Sequence, residues 1–348
     1  MTKHDITTCT KNHGVKEGIR PEDWKAGANS LIPYEIRNVL GIWHPYAPPG
    51  EWQKDDDTDT FGCVSYSDNN KVEMQLNQFL YEGKLSDYKI QRCISLRYLK
   101  SKTGQAIVFA NVKNNPRNFS FDLSDRALAK MSFTQPDGNF LWKVADTFRL
   151  QGVVGEARWP TPASFTWDSY YADIPQDIKN ECLEFLKMFG VAYEFVTVTR
   201  ENLIKHLKHV PLQVVIPGHA IVEIQQEQDV FHFFDSYEPF FKQRVGLPQT
   251  ALKLVITIKP DDMLSELLKT FRIEGEGKVY AILRGKRYWI TPGGAPDTIY
   301  EDGRGVLWPD VGPGDTPIIT KLEAAKYPLA GTWGRPTLAE YFRYFFQR

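Results

Sequence analysis

The hydrophobic period of the chain changes near residue 210. Before that point apolar positions recur at helical spacing. In FGCVSYSDNNKVEMQLNQFLYEG, Val64, Val72, Leu76, Phe79 and Leu80 fall on one face and Gly83 ends the run, so a helix is predicted with Cys63 at its start. SDRALAKMS has Ser124 as a predicted N-cap, QPDGN reads as a turn, and FLWKVADTFRLQG is a second helix ending at Gly152. A third amphipathic helix is predicted over 174–190 (Ile178, Cys182, Phe185, Leu186, Phe189) and a short fourth over 201–209.

After residue 210 the text turns to alternating or continuous β-branched and aromatic residues: PLQVVI, HAIVEIQ, VFHFFDSY and ALKLVITIKP. Helices followed by strands predict an α+β domain with an antiparallel β half. Residues 1–50, rich in Gly and Pro, read as an extended arm whose Trp24 and Trp43 pack onto the body. The main body covers 51–262 and a small β-rich module 263–348. A linking helix is expected over 261–273, KVYAILRGKRYWI reads as a hairpin turned at Arg284-Gly285, and LAEYFRYFF as a last helix.

Composition removes several classes of function. Of the 348 residues, 42% are hydrophobic and 24% charged, which is ordinary for a folded protein. Lys plus Arg number 42 against 43 Asp plus Glu, so no overall basic field would hold the chain on nucleic acid or an anionic membrane, and neither is expected as a partner. The amino terminus shows no apolar signal core and no apolar run reaches membrane-spanning length, which predicts a cytoplasmic or virion-associated protein. Cys9, Cys63, Cys93 and Cys182 form no CxxC pair, so any special cysteine acts singly.

No metal or cofactor is expected. His206 and His209 with Glu201 lie on a lysine-rich helix read as a solvated basic face. Asp57, Asp59 and Gly62 partly mimic a calcium loop, but Phe61 stands at a ligand position. GEGKVY lacks the spacing of either nucleotide-binding glycine loop.

Cys63, at a helix start, would feel the positive end of the dipole, which favours the thiolate. A free cysteine is more often a small buried hydrophobe, so the base decides between the two readings. His219 and Asp235 supply a base and an orienting carboxylate on neighbouring strands, joined by the polar turn QQEQD. Gly218 and Ala220 flank the histidine with small side chains, as suits a group facing an open cleft.

Three blocks in order, Cys63-Val-Ser-Tyr-Ser, Gly218-His219-Ala220 and Asp235-Ser236-Tyr237, resemble those of papain-like cysteine peptidases. The histidine follows the cysteine by the interval from 63 to 219, near the roughly 130–150 residues of that family. Between them LSDRALAKMS, DGN and GVVGEARWP resemble a fourth block. The resemblance covers about 50 to 260. It implies a helical left half carrying the cysteine and an antiparallel β right half carrying the histidine. It implies Cys63 as nucleophile, His219 as general base and acid, and Asp235 in the orienting role that is usually Asn. Tyr237 would stand for the Trp that shields this contact, and Gly138 for the glycine region that holds substrate backbone. The family's oxyanion Gln precedes the cysteine by six residues, where this chain has Asp57, so Gln53 is the candidate donor.

The expected activity is therefore that of a cysteine peptidase or amidase acting on a peptide or protein substrate through a thioester. The alternatives are a papain-fold binding or structural protein of a virion or cell surface, and a peptidoglycan amidase or endopeptidase. The 263–348 module resembles small repeats on bacterial and phage surface proteins, which would make cell wall or virion proteins its partners.

Overall fold

The computed structural model describes residues 15, 16, 18, 32–54 and 58–261, and beyond them the strand backbones 270–273, 279–283, 286–290, 318–319 and 329–333. The chain divides into two compact units, Met1–Asp261 and Asp262–Arg348.

In the first unit a two-residue strand β1 (Val15–Lys16) precedes helices α1 (Cys63–Tyr81) and α2 (Asp87–Ser95), strand β2 (Leu99–Ser101), α3 (Phe109–Asn114), β3 (Phe119–Phe121), α4 (Asp125–Met131), β4 (Asn139–Phe140) and α5 (Leu141–Gln151). Then come α6 (Trp167–Tyr170), α7 (Gln176–Met188), β5 (Phe189–Val196), α8 (Arg200–Leu207), β6 (Leu212–Ile216), β7 (His219–Glu227), β8 (Val230–Phe234), β9 (Phe241–Val245) and β10 (Thr250–Ile258). The last six strands form one antiparallel sheet in the order β5-β10-β6-β7-β8-β9. The fold is α+β, with the cysteine on the helical side and the histidine in the sheet.

The helix carrying Cys63 is the axis of the unit. Every residue of α1 from Cys63 to Leu80 is buried, including ten polar ones, and hydrogen bonds to the surrounding chain offset much of that cost. Gln75 accepts from the Ile256 N–H at 3.0 Å and donates to the Leu254 carbonyl at 2.9 Å. β10 pairs with β6 only over Thr250–Lys253, so the amide of Gln75 serves the backbone where that pairing has ended. Asn77 does the same at β3, accepting from Phe121 N–H at 2.8 Å. One face of the sheet packs Val215, Ala220, Leu252, Leu254 and Ile256 into the core with Cys63, Val64 and Val72 of α1. A second core gathers Leu203, Leu207, Val210, Leu212 and Val214 with Trp43, whose indole N–H donates to the Leu207 carbonyl at 2.7 Å. Trp43 thus anchors residues 32–50 on the body; Trp24 lies outside the described residues.

Several expectations change. The third helix stops at Met188 rather than Gly190, and the next eight residues are the strand β5, which extends the sheet before the last helix. Phe189, Tyr193 and Phe195 take this conformation because the edge of β10 needs a partner and the core needs their rings. β9 was not anticipated: FKQRV is half-exposed and gives no alternation. The predicted linking helix is overturned at its end, where Thr270–Ile273 is a strand, β11; residues 262–269 lie outside the described ones, as does LAEYFRYFF.

The second unit has a five-stranded sheet in which β11 pairs with β12 (Val279–Leu283), β12 with β13 (Lys286–Ile290), and the edges are β14 (Ile318–Ile319) and β15 (Leu329–Trp333). β12 and β13 pair antiparallel up to Leu283 opposite Lys286; Arg284 and Gly285, where the sequence predicts the turn, lie outside the described residues. Among the described residues no helix is long and apolar enough to cross a membrane.

Glu223 on β7 departs from the rule that buried polar groups are bonded. Its side chain is fully buried, neither carboxyl oxygen has a hydrogen-bond partner, and burial pushes its pKa up to about 8. The unfolded chain ionises this group near pH ~4.3 while the folded chain holds the proton. Stability is therefore lost as pH rises from that value and levels off above about 8. Glu223→Gln removes this loss, so its melting temperature is expected to gain on the wild type steadily between pH 4 and 8. Parallel melting curves across that range would refute the assignment.

Candidate active site

The run before Cys63 is shaped by a single carboxylate. Phe61 sits at φ 51°, a left-handed conformation that costs a non-glycine residue ~1 kcal/mol or more. Asp59 holds it there by accepting the Phe61 N–H at 2.8 Å. Thr60 is fixed from two sides, its N–H bonded to the Gln53 carbonyl at 3.1 Å and its carbonyl to the Tyr171 hydroxyl at 2.7 Å. The chain then enters α1 with Gly62 as N-cap and Cys63 as first residue, as the sequence predicts. Amides of a helix's first turn have no intrahelical acceptor, which leaves the Cys63 N–H suited to bind an anion.

His219 opens β7 after a two-residue connection. Ile216 pairs with His219, and between them Gly218 takes φ 73°, a value that a residue with a Cβ adopts only under strain. The turn, not an open cleft, explains the small residue there: His219 is only 4% exposed. Ala220 has its own role, since its N–H points at the Cys63 sulfur at 3.4 Å. That contact brings the thiol to the residue beside His219.

Asp235 follows the end of β8 and closes a loop by donating its N–H to the Phe240 carbonyl at 2.8 Å. Its Oδ1 lies 2.6 Å from His219 Nε2 and its Oδ2 2.6 Å from the Lys242 ammonium. Burial would raise the Asp235 pKa, but the His219 ring and Lys242 outweigh it and hold the group at about 2. An ionised carboxylate only accepts, which assigns the proton of a neutral His219 ring to Nε2 and makes Nδ1 its acceptor nitrogen.

Gln53 and Tyr237 join the same assembly. The Gln53 amide donates to Asp59 Oδ1 at 3.0 Å and to the Tyr237 hydroxyl at 2.5 Å, while its oxygen accepts from Ser236 at 2.7 Å. Tyr237 in turn donates to Asp59 Oδ2. Both amide hydrogens of the candidate oxyanion donor are thus engaged by protein groups. The Tyr237 ring lies 5.4 Å from that of His219, where it covers the imidazole. Gly138 lies in the turn between α4 and α5, closed by reciprocal bonds with Gln135. Its neighbour Asn139 bonds Thr134 at 3.1 Å, and Thr134 contacts Tyr171, the residue that holds Thr60.

The thiol differs from the sequence expectation. Cys63 is fully buried, and burial, with Asp59 and Asp235 nearby, raises its pKa against the lowering effect of the Ala220 N–H. The helix start alone therefore does not yield a resting thiolate. Sequence reasoning also missed Lys242 and the structural use of Asp59. The pairing of Phe234 with Phe241 across the β8–β9 hairpin carries Lys242 to Asp235, and that register has no local signature.

His206 and His209 are not on a solvated face. They are 7% and 0% exposed, stacked edge-on against Tyr34, and burial pushes them down to about 4 and about 3. Among the described residues no group of three or more His, Cys, Asp or Glu could hold a metal ion.

No protein-family model matches the chain, and no curated protein matches it. Among solved structures it is similar to procathepsin L 3 of Tenebrio molitor larval midgut, at 14% identity over 70% of this chain and 76% of that one, with a TM-score of 0.40. It is similar to xylellain, a cysteine protease from Xylella fastidiosa, at 13% identity over 72% and 97%, with a TM-score of 0.42. A cysteine protease of Carica candamarcensis matches at 14% identity over 63% and 98%, with a TM-score of 0.36.

Proposed function

We propose that the first unit is a papain-like cysteine peptidase or amidase that cleaves peptide or protein substrates by acyl transfer. The observation that carries this reading is the linked set of Cys63 Sγ on the Ala220 N–H at 3.4 Å and His219 on Asp235 at 2.6 Å. In the first step the Cys63 proton passes to Nδ1 of His219 as sulfur attacks the scissile carbonyl carbon, so that the raised thiol needs to ionise only together with its base. The imidazolium is held by Asp235. The oxyanion of the tetrahedral intermediate is stabilised by the Cys63 N–H and, once it turns from Asp59 or Tyr237, by the amide of Gln53. His219 returns the proton to the leaving amine, the thioester remains, and water activated by the same ring hydrolyses it. No cofactor enters this sequence.

A second reading is favoured by the complete burial of Cys63 and the engaged amide of Gln53: a protein that keeps this architecture in a binding or structural role without turnover. Thiol alkylation separates the two. Cys93 and Cys182 are buried as Cys63 is, and provide internal references. For the peptidase, iodoacetamide at pH 7 is expected to modify Cys63 at least ~10-fold faster than either reference, read by peptide mass mapping, because on that reading His219 serves Cys63 as its base. Equal, slow modification of all three would favour the structural reading.

A further inference from the structure

His219 and Lys242 divide the carboxylate of Asp235 between them: Oδ1 faces the ring and Oδ2 faces the ammonium, each at 2.6 Å. All three side chains are shielded, with exposures of 5% for His219, 5% for Asp235 and 11% for Lys242. An uncompensated buried carboxylate would bias the site in two ways. It would hold the imidazolium too firmly to release its proton, and it would oppose the negative charge that develops on Cys63.

We propose that Lys242 is a positioning residue that fixes Asp235 and cancels its charge, so that the Asp235–Lys242 pair presents His219 with a neutral orienting group. The inference rests on the peptidase reading, and deepens it by assigning the group that tunes the base. Its geometry follows from the hairpin: Phe233 pairs with Lys242, so the ammonium reaches across the strand end to the first residue after β8. An orienting residue that is neutral needs no such partner, and an Asp in that place does.

The surroundings leave this role to Lys242. On the catalytic side, Tyr237 faces the ring, Cys63 and Tyr237 are within electrostatic reach of the carboxylate, and Asp59 stands beside those two residues. On the other side, Lys242 borders a cavity of about 170 Å³ with His44, His232 and Glu227 on its walls. His232 is turned toward Glu227 at 3.7 Å, and His44 stacks on Phe241 at 4.3 Å between ring centres. Lys242 is the ammonium bonded to Asp235.

The test compares wild type, Lys242→Met and Lys242→Arg. Cys63 alkylation is followed from pH 5 to 10, and the His219 imidazole is titrated by NMR with selectively labelled histidine. Removing a positive charge a few ångströms beyond the carboxylate, at an effective dielectric constant of about 20, is expected to move imidazolium deprotonation up by about one pH unit or more. The same shift should appear in the upper step of the alkylation profile. Lys242→Arg is expected to restore both to within a few tenths of a unit. If Lys242→Met does not fold, Lys242→Gln, which keeps a donor without the charge, carries the same expectation. An unshifted His219 titration in the folded neutral variant would overturn the proposal. So would an equal shift in Lys242→Arg. A shifted titration with no preferential labelling of Cys63 in the wild type would instead refute the peptidase reading and leave the charge pairing standing.

Discussion

Cys63→Ala is expected to reduce hydrolysis of a pooled set of fluorogenic peptide amides by about 1,000-fold or more, and His219→Ala to do the same. On the peptidase reading the effect is large because nucleophile and base act as one unit. Once either is gone, no covalent intermediate forms, and what survives is only what oriented binding and backbone donors supply. For the same reason the double variant is expected to be no slower than the worse single one. The measurement is kcat/KM for all three proteins, with circular dichroism to show that each is folded. Additive losses, in which the double variant falls by the product of the two single effects, would mean that the residues do not work on one step. Retained activity in Cys63→Ala would remove the nucleophile assignment altogether.

The second large effect concerns the seam between the cysteine helix and the sheet. Asp68 and Lys71 of α1 form an ion pair with both side chains fully buried. Burial pushes Asp68 up and Lys71 down, each opposed by the other. Lys71 also donates to Gln213 Oε1 of β6 at 2.8 Å, and the Gln213 amide donates to the Val64 carbonyl at 2.8 Å and the Ser67 hydroxyl at 2.7 Å. The network thus ties the first turn of the cysteine helix to the strand that leads into His219.

Asp68→Ala leaves the Lys71 ammonium without its counter-charge and is expected to cost about 3–5 kcal/mol in urea unfolding. Replacing both partners, Asp68→Leu with Lys71→Met, is expected to recover part of that loss. The pair's own net worth is small, and most of the penalty is the orphaned charge; what remains is the unbonded Gln213 oxygen, worth about 1–3 kcal/mol. A single variant as stable as the wild type would show that the pair is not buried as described.

Local pattern carried much of the architecture. The start of α1 at Cys63, the Ser124 cap, the Gly152 stop, four of the six strands in the main sheet and the antiparallel pairing of β12 with β13 were all readable, because each depends on side-chain period or capping chemistry within a few positions. β5 and β9 were not, since an edge strand owes its conformation to the partner it pairs with. The same boundary runs through the site. Cys63, His219 and Asp235 could be nominated from their order and residue types. Three other features came from chain segments far apart in sequence: the reach of Lys242 to Asp235, the hold of Asp59 and Tyr237 on Gln53, and the burial that raises the Cys63 thiol. Residue identity determines which proton and charge a group can offer. Whether the group is desolvated, and which opposite charge stands beside it, is decided only when the sheet register and the docking of α1 set the distances.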